Sequence, residues 1–213
     1  MKTEKIPKTV VVVRHGQSIG NIGMKTKDTQ TMPLSEIGMQ QAVDLVELLP
    51  TAECVILSPY LRTRLTADPF LEKHRNIRVE MWPHTHETNF LGEGKHDDTT
   101  QEQRAGFVQA FWDRNDPEWR ESRTAETFKE FFERGERTIN DIAIHPASTI
   151  IMFNHNGFLQ LLFFIDQQAA MVRQLHGTPE GMREIMQRFR ERLMKKSNEI
   201  PNAMPIDISY MFN

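Results

Sequence analysis

Continuous apolar runs alternate along this chain with segments whose apolar residues recur every three or four positions. Val10-Val11-Val12-Val13 is a run of four β-branched residues, the pattern of a strand buried on both faces. Cys54-Val55-Ile56-Leu57 and Thr149–Phe153 repeat it, and Ile77–Trp82 reads as a further strand. Between them lie helical patterns. One is capped by Ser35 and runs to about Leu49, with Ile37, Val43, Val46 and Leu49 as its apolar face. Another opens at Ser58-Pro59, where a first-turn proline is tolerated. Helices are expected over Gln101–Arg114, Thr124–Ile144 (with Phe128, Phe131, Phe132, Ile139 and Ile142 on one stripe), Gly157–Gln168 and Thr178–Lys196. Ile206–Met211 alternates like a last strand. Gly16–Pro33 and Pro83–Thr100 carry neither period and read as loops; the second is long enough to be functional. Strand–helix alternation of this kind predicts an α/β fold, a three-layer α/β/α sandwich around a mainly parallel sheet. The 213 residues suit one domain, 1–213, with a helical insertion around 171–200, where a helix follows a helix with no strand between.

Charge narrows the partners. Twenty-six basic and 29 acidic residues leave a net charge of −3, so neither nucleic acid nor a membrane surface is indicated. An anion site must then be a local cluster of Arg and His rather than a global field. The charged Met1–Lys8 followed by four valines is too short for a signal-peptide core, and Phe158–Ile165 is too short and too polar to span a bilayer. With the single cysteine, Cys54, placed in a buried strand and without a disulfide partner, the expected location is the cytoplasm.

Parallel sheets place ligands at the carboxyl ends of their strands, and three such ends here carry chemistry. Val13-Arg14-His15-Gly16 follows the first run. Ser58-Pro59-Tyr60-Leu61-Arg62 follows the second, with Arg62 one turn into its helix. Asn154-His155-Asn156-Gly157 follows Thr149–Phe153 and leads into a helix N-terminus. Two histidines and two arginines thus reach one rim. Arginine binds phosphate oxygens bidentately, and a neutral imidazole is a competent nucleophile.

Taken in order, these blocks resemble the histidine phosphatase superfamily, in the branch that includes cofactor-dependent phosphoglycerate mutase. Arg14-His15-Gly16 matches its signature, with Ser18 and Asn21 in the extended form. Leu34-Ser35-Glu36-x-Gly38-x-x-Gln41-Ala42, Ser58-Pro59-x-x-Arg62-x-x-x-Thr66-Ala67, His155-x-Gly157 and Pro201-Asn202-Ala203 follow over nearly the whole chain. The resemblance implies a phosphoglycerate mutase-like fold and a phosphomonoesterase with His15 as nucleophile. Arg14, Arg62 and His155 would hold the phosphoryl group, with Asn21 as a further contact, and Glu87 would protonate the leaving oxygen. No metal and no organic cofactor is implied. The substrate would be a small-molecule phosphoester or a phosphoprotein, with phosphate or sulfate expected in the pocket. A mutase shares that pocket, and a phosphoester-binding protein with little turnover is the non-enzymatic alternative.

Several residues depart from the pattern. Asn154 and Asn156 flank His155 where relatives have small residues, and Asn156 is expected to add a polar contact to the phosphate or to narrow the pocket. Glu93 rivals Glu87 as the acid, with Phe90 as an apolar neighbour for the latter. Arg64 is expected to face solvent. His84, His86 and His96 lie near Glu87, Glu93, Asp97 and Asp98, yet their spacing fits no standard metal site. His84, His86, Asn89, Phe90 and the Phe107–Trp119 region are candidates for substrate specificity.

Overall fold

The structure, a computed structural model, describes residues 7–94 and 96–213. The N-terminal run is therefore described only at Pro7 and Lys8; the expectation drawn from Met1–Lys8 otherwise lies outside the described residues. Five strands form one sheet in the order β3-β2-β4-β1-β5. They are β1 (Thr9–Arg14), β2 (Cys54–Leu57), β3 (Arg78–Met81), β4 (Thr149–Asn154) and β5 (Pro205–Asp207). The first four are parallel, and β5 pairs antiparallel with β1. The fold is α/β with a mainly parallel sheet, as the alternating pattern implies.

Among the described residues seven α-helices accompany the sheet: α1 (Glu36–Leu45), α2 (Leu61–Lys73), α3 (Gln101–Arg114), α4 (Phe128–Ile144), α5 (Asn156–Gln167), α6 (Ala169–Leu175) and α7 (Pro179–Leu193). Capping boxes start α3 at Thr100 with Gln103 and α4 at Thr127 with Glu130. Satisfying the otherwise orphaned N–H groups there sets the start of α4 at Phe128, four residues beyond the expected Thr124. The larger apolar cluster lies on the α3–α7 side of the sheet. Phe90, Phe111, Trp112, Phe128, Phe131 and Phe189 are all buried in it. The smaller cluster joins the other sheet face to α1 and α2 through Leu45, Ala67 and Phe70.

Four details correct the sequence expectations. In α1 the buried residues are Gly38, Ala42 and Leu45, whereas Ile37 and Val43 are 60% and 53% exposed. The reason is a backbone approach: a Cβ on Gly38 would stand 2.0 Å from the Gln17 carbonyl oxygen. The helix is pressed inward through its smallest residues, which turns the branched ones out. Pro59 precedes α2 instead of entering it; Tyr60 is the N-cap and Arg62 the second helical residue. A short helix absent from the expectation, α6, lies between α5 and α7. Lastly, Ile206–Met211 is a strand only to Asp207, after which Ser209–Met211 turns as a 3₁₀ helix. No helix of the described residues is long and apolar enough to cross a membrane.

Candidate active site

Arg14 and Asn154 are the last residues of β1 and β4 and stand opposite each other in register. That register brings His15 and His155, the next residues on each chain segment, to one rim with ring centroids 5.3 Å apart. Ser58 leaves β2 at the same edge, its N–H bonded to the Phe153 carbonyl at 3.2 Å. The loop Gly16–Gln17 is fixed from below: Thr66 Oγ1 on α2 accepts the Gly16 N–H at 2.9 Å. From above, Asn202 Nδ2 donates to the His15 carbonyl at 2.7 Å and Ala203 N–H to that of Arg14 at 2.9 Å.

The imidazole of His15 is held in one tautomer. Its Nδ1 lies 2.7 Å from the Gly16 carbonyl oxygen, which can only accept, so Nδ1 carries the proton and Nε2 a lone pair. Arg62 Nε donates to that Nε2 at 3.1 Å. Burial, and then the charge of Arg62, holds the His15 ring well below the usual histidine range; the Gly16 bond opposes this and the Arg14 charge adds to it. The ring is therefore neutral at physiological pH. Burial likewise depresses His155, with Arg62 and His15 adding to the effect. His155 Nε2 meets Ser58 Oγ at 2.7 Å, and its ring packs edge-on to Tyr60 at 5.1 Å.

Arg62 is buried enough that desolvation lowers it to about 10, still a cation at neutral pH. Beside its bond to His15 it donates to the Thr29 carbonyl at 2.6 Å and lies over the Tyr60 ring at 4.8 Å. Arg14 donates through Nη1 to Glu199 at 3.0 Å and to the Ile200 carbonyl at 2.5 Å, and its buried Nε has no partner. Buried His155 Nδ1 and Asn154 Nδ2 likewise lack a partner among the described residues, so the residues at the ends of β1 and β4 carry three unpartnered polar atoms.

Glu87 reaches this rim from the loop after β3. Its carboxylate accepts the Gly157 N–H at 3.1 Å and the Thr88 N–H at 3.0 Å. It thus sits at the N-terminus of α5, two residues from His155. Glu93 is exposed, and Gln30 Nε2 donates to it at 2.5 Å.

Other expected residues have contacts of their own. The Asn21 side chain accepts from the Ser18 N–H and hydroxyl at 2.9 and 3.0 Å, closing its own turn. Asn156 Oδ1 accepts the Ile200 N–H at 3.0 Å and so ties the C-terminal segment down. Phe90 is stacked on Phe111 at 4.2 Å inside the core. With Phe111 and Trp112 it fills the interior instead of lining a pocket. His84 stacks on Trp82 at 5.3 Å and faces Asp141 at 3.4 Å, whereas His86 stacks on Tyr60 at 6.1 Å, beside the site. Arg64 is exposed next to Asp68, as expected.

Sequence reading passed over Ser58, Tyr60 and Arg134, whose contacts are long-range; only the Ser58 and Tyr60 positions beside Arg62 gave any hint. A single His, Cys and acid cluster gathers among the described residues: Cys54, Glu80 and His145, with ligand atoms within 4.8 Å. His145 Nδ1 accepts the Ala147 N–H at 3.1 Å, so Nε2 carries the proton it gives Glu80 at 3.3 Å. Glu80 also accepts from Trp82 Nε1 at 2.9 Å and forms an ion pair with Arg78 at 2.7 Å. These atoms are occupied by one another, a hydrogen-bond network and not a metal cradle.

Residues 10–176 match the model of the histidine phosphatase superfamily, branch 1. The chain belongs to that family. Membership agrees with the paired strand-end histidines and with phosphomonoester hydrolysis as its activity. No curated protein matches the histidine phosphatase chain significantly. Solved structures do. A candidate alpha-ribazole-5′-P phosphatase of Escherichia coli K-12 is 24% identical with a TM-score of 0.65, over 96% of this chain and 92% of that one. The alpha-ribazole phosphatase of Shigella flexneri is 24% identical with a TM-score of 0.59, over 82% and 83%. The mycobacterial glucosyl-3-phosphoglycerate phosphatase is 19% identical with a TM-score of 0.62, over 93% and 88%. These likenesses establish the fold.

Proposed function

We propose that this histidine phosphatase hydrolyses phosphomonoesters through a phosphohistidine on His15. The observation that carries the proposal is the His15 tautomer: a proton held on Nδ1 by the Gly16 carbonyl leaves the Nε2 lone pair facing Arg62. That lone pair attacks phosphorus while the bond to the leaving oxygen breaks. Arg62 moves its Nε–H from the nucleophile to a phosphoryl oxygen, joined by Arg14 and His155, whose partnerless atoms stand at the same rim. Charge gained in the transition state is met by donors already in place. Glu87 gives the leaving oxygen a proton, then takes one from the water that attacks the phosphohistidine, and inorganic phosphate departs.

Glu87 is preferred to Glu93 because its carboxyl is docked beside His155 on Gly157. Asn21 and Asn156 serve this reading as supports of the loop and the C-terminal segment. The test is an alkaline, denaturing quench of a reaction with a ³²P-labelled phosphoester. An acid-labile, base-stable adduct is expected in the wild type and none in His15→Ala, together with loss of turnover. Full activity of His15→Ala overturns the proposal.

A further inference from the structure

Among its described residues, the loop that carries Glu87 has no strand or helix between His86 and Thr100, so something other than regular structure must fix its backbone. One guanidinium does much of this. Arg134, buried on α4, donates through Nη1 to the carbonyls of His84 at 3.1 Å and His86 at 2.6 Å, and through Nη2 to that of Glu87 at 3.3 Å. Its remaining donors go to Glu126: Nε to Oε2 at 2.9 Å and Nη2 to Oε1 at 3.0 Å. All five N–H groups of the arginine are engaged. Glu126 extends the clamp, since its Oε1 accepts the Asn89 N–H at 2.6 Å and its own N–H bonds the Asn89 carbonyl at 3.0 Å. The guanidinium also lies 4.8 Å over both Phe131 and Phe158. Phe158 follows Gly157, the residue whose N–H holds the Glu87 carboxyl. One cation therefore touches the acid's own carbonyl and packs on the helix that receives its side chain.

We infer that the buried Arg134–Glu126 pair is a positioning device for the general acid, setting Glu87 against the N-terminus of α5. The inference rests on the reading of Glu87 as the proton donor. A pair that merely stabilised the fold would do so equally well if it bonded only to itself. Here three of five donors go to backbone carbonyls between His84 and Glu87, the segment that leads into the acid. Lysine, with three donors and no planar fork, cannot reproduce that set.

The test compares an alkyl phosphate, whose leaving group needs a proton, with an aryl phosphate, whose phenolate leaves unaided. Arg134→Lys is expected to lower kcat/KM for the alkyl substrate by about a hundredfold, the usual effect of an ångström of misplacement, and to change the aryl value by less than about threefold. In the Glu87→Gln background the same substitution should cost no more than about a further twofold on the alkyl substrate, because the two changes remove one function. A second readout does not depend on turnover. The Gly157 N–H, second in α5, has no partner within its helix. Its amide exchange should accelerate about tenfold in Arg134→Lys, as in Glu87→Ala. Should Arg134→Lys fail to unfold cooperatively, Glu126→Gln is judged by the same selectivity and the same amide. Equal losses on both substrates, a full additive loss in the Glu87→Gln background, or unchanged Gly157 exchange overturn the inference. If Glu87→Gln itself loses both substrates equally, the reading of Glu87 fails, and this inference with it.

Discussion

Gly157→Ala isolates the acid with a single methyl group. The added Cβ would stand 2.6 Å from Glu87 Oε1 and 3.3 Å from both its Cδ and Thr88 Cγ2. Ordinary contact begins near 3.4 Å, so the carboxylate must retreat by about 0.8 Å. It is the far end of a flexible side chain, and the retreat strains little. The helix itself gains, since alanine in place of glycine stabilises by roughly 0.5–1 kcal/mol. What is lost is the 3.1 Å bond from the Gly157 N–H that aims the carboxyl. General acid catalysis contributes about 10²–10⁴-fold in rate, and a misplacement near 1 Å forfeits about 10² of it. Gly157→Ala is therefore expected to hydrolyse alkyl phosphates about two orders of magnitude more slowly, to hydrolyse aryl phosphates nearly normally, and to unfold at or above the wild-type temperature. Steady-state kinetics on the two esters with a calorimetric scan checks all three. Wild-type turnover of the alkyl ester by Gly157→Ala would refute the placement of the proton donor.

Arg62→Ala should lower kcat/KM by about two orders of magnitude, equivalent to roughly 3 kcal/mol of transition-state binding. Arg64→Ala should be nearly silent, because that side chain is 68% exposed and lies 3.9 Å from Asp68; a swap of the two phenotypes would overturn the helix register. Unfolded histidine titrates near 6.5, and burial holds both His15 and His155 well below that in the folded chain. The unfolded state then binds more protons below about pH 6.5, so stability is kept above that pH and lost as pH falls toward the folded values. Urea midpoints at pH 7.5 and 5.5 should show the fall, and His155→Gln should reduce it. Burial raises the Cys54 thiol from 9.0 to about 11, which leaves about a hundredfold less thiolate. An aromatic disulfide reagent should label Cys54 only after denaturation, and fast labelling of the native chain would contradict its burial.

The strand ends were legible because β-branched runs announce buried strands and the chemistry follows each run directly. Arg14, His15, Arg62 and His155 are all found within a few residues of such a run and meet at one rim. What escaped reading depends on contacts distant in sequence. Nothing local marks Arg134 as the residue that holds the His84–Glu87 backbone, since side-chain bonds to carbonyls leave no trace in composition. The outward turn of Ile37 and Val43 follows from the approach of Gly38 to Gln17, which periodicity alone reverses. Phe90 looked like a neighbour of Glu87 by sequence but answers to the stack with Phe111 and Phe131. The bonds that the side-chain oxygens of Asn21 and Asn156 accept from Ser18 and Ile200 are likewise unannounced by the sequence around them.

The clasp between the two ends of the chain has a bearing on synthesis. Arg14 leans on Glu199, and the His15 carbonyl is held by Asn202, contacts 185 and 187 residues apart in sequence. On a ribosome adding about 5–20 residues per second, the stretch between them takes roughly 10–40 s to make. Through that interval the nucleophile loop is already out while its fastening does not yet exist. Only once Glu199 and Asn202 have been added can both fastenings form, as an arch stands only once its keystone is set.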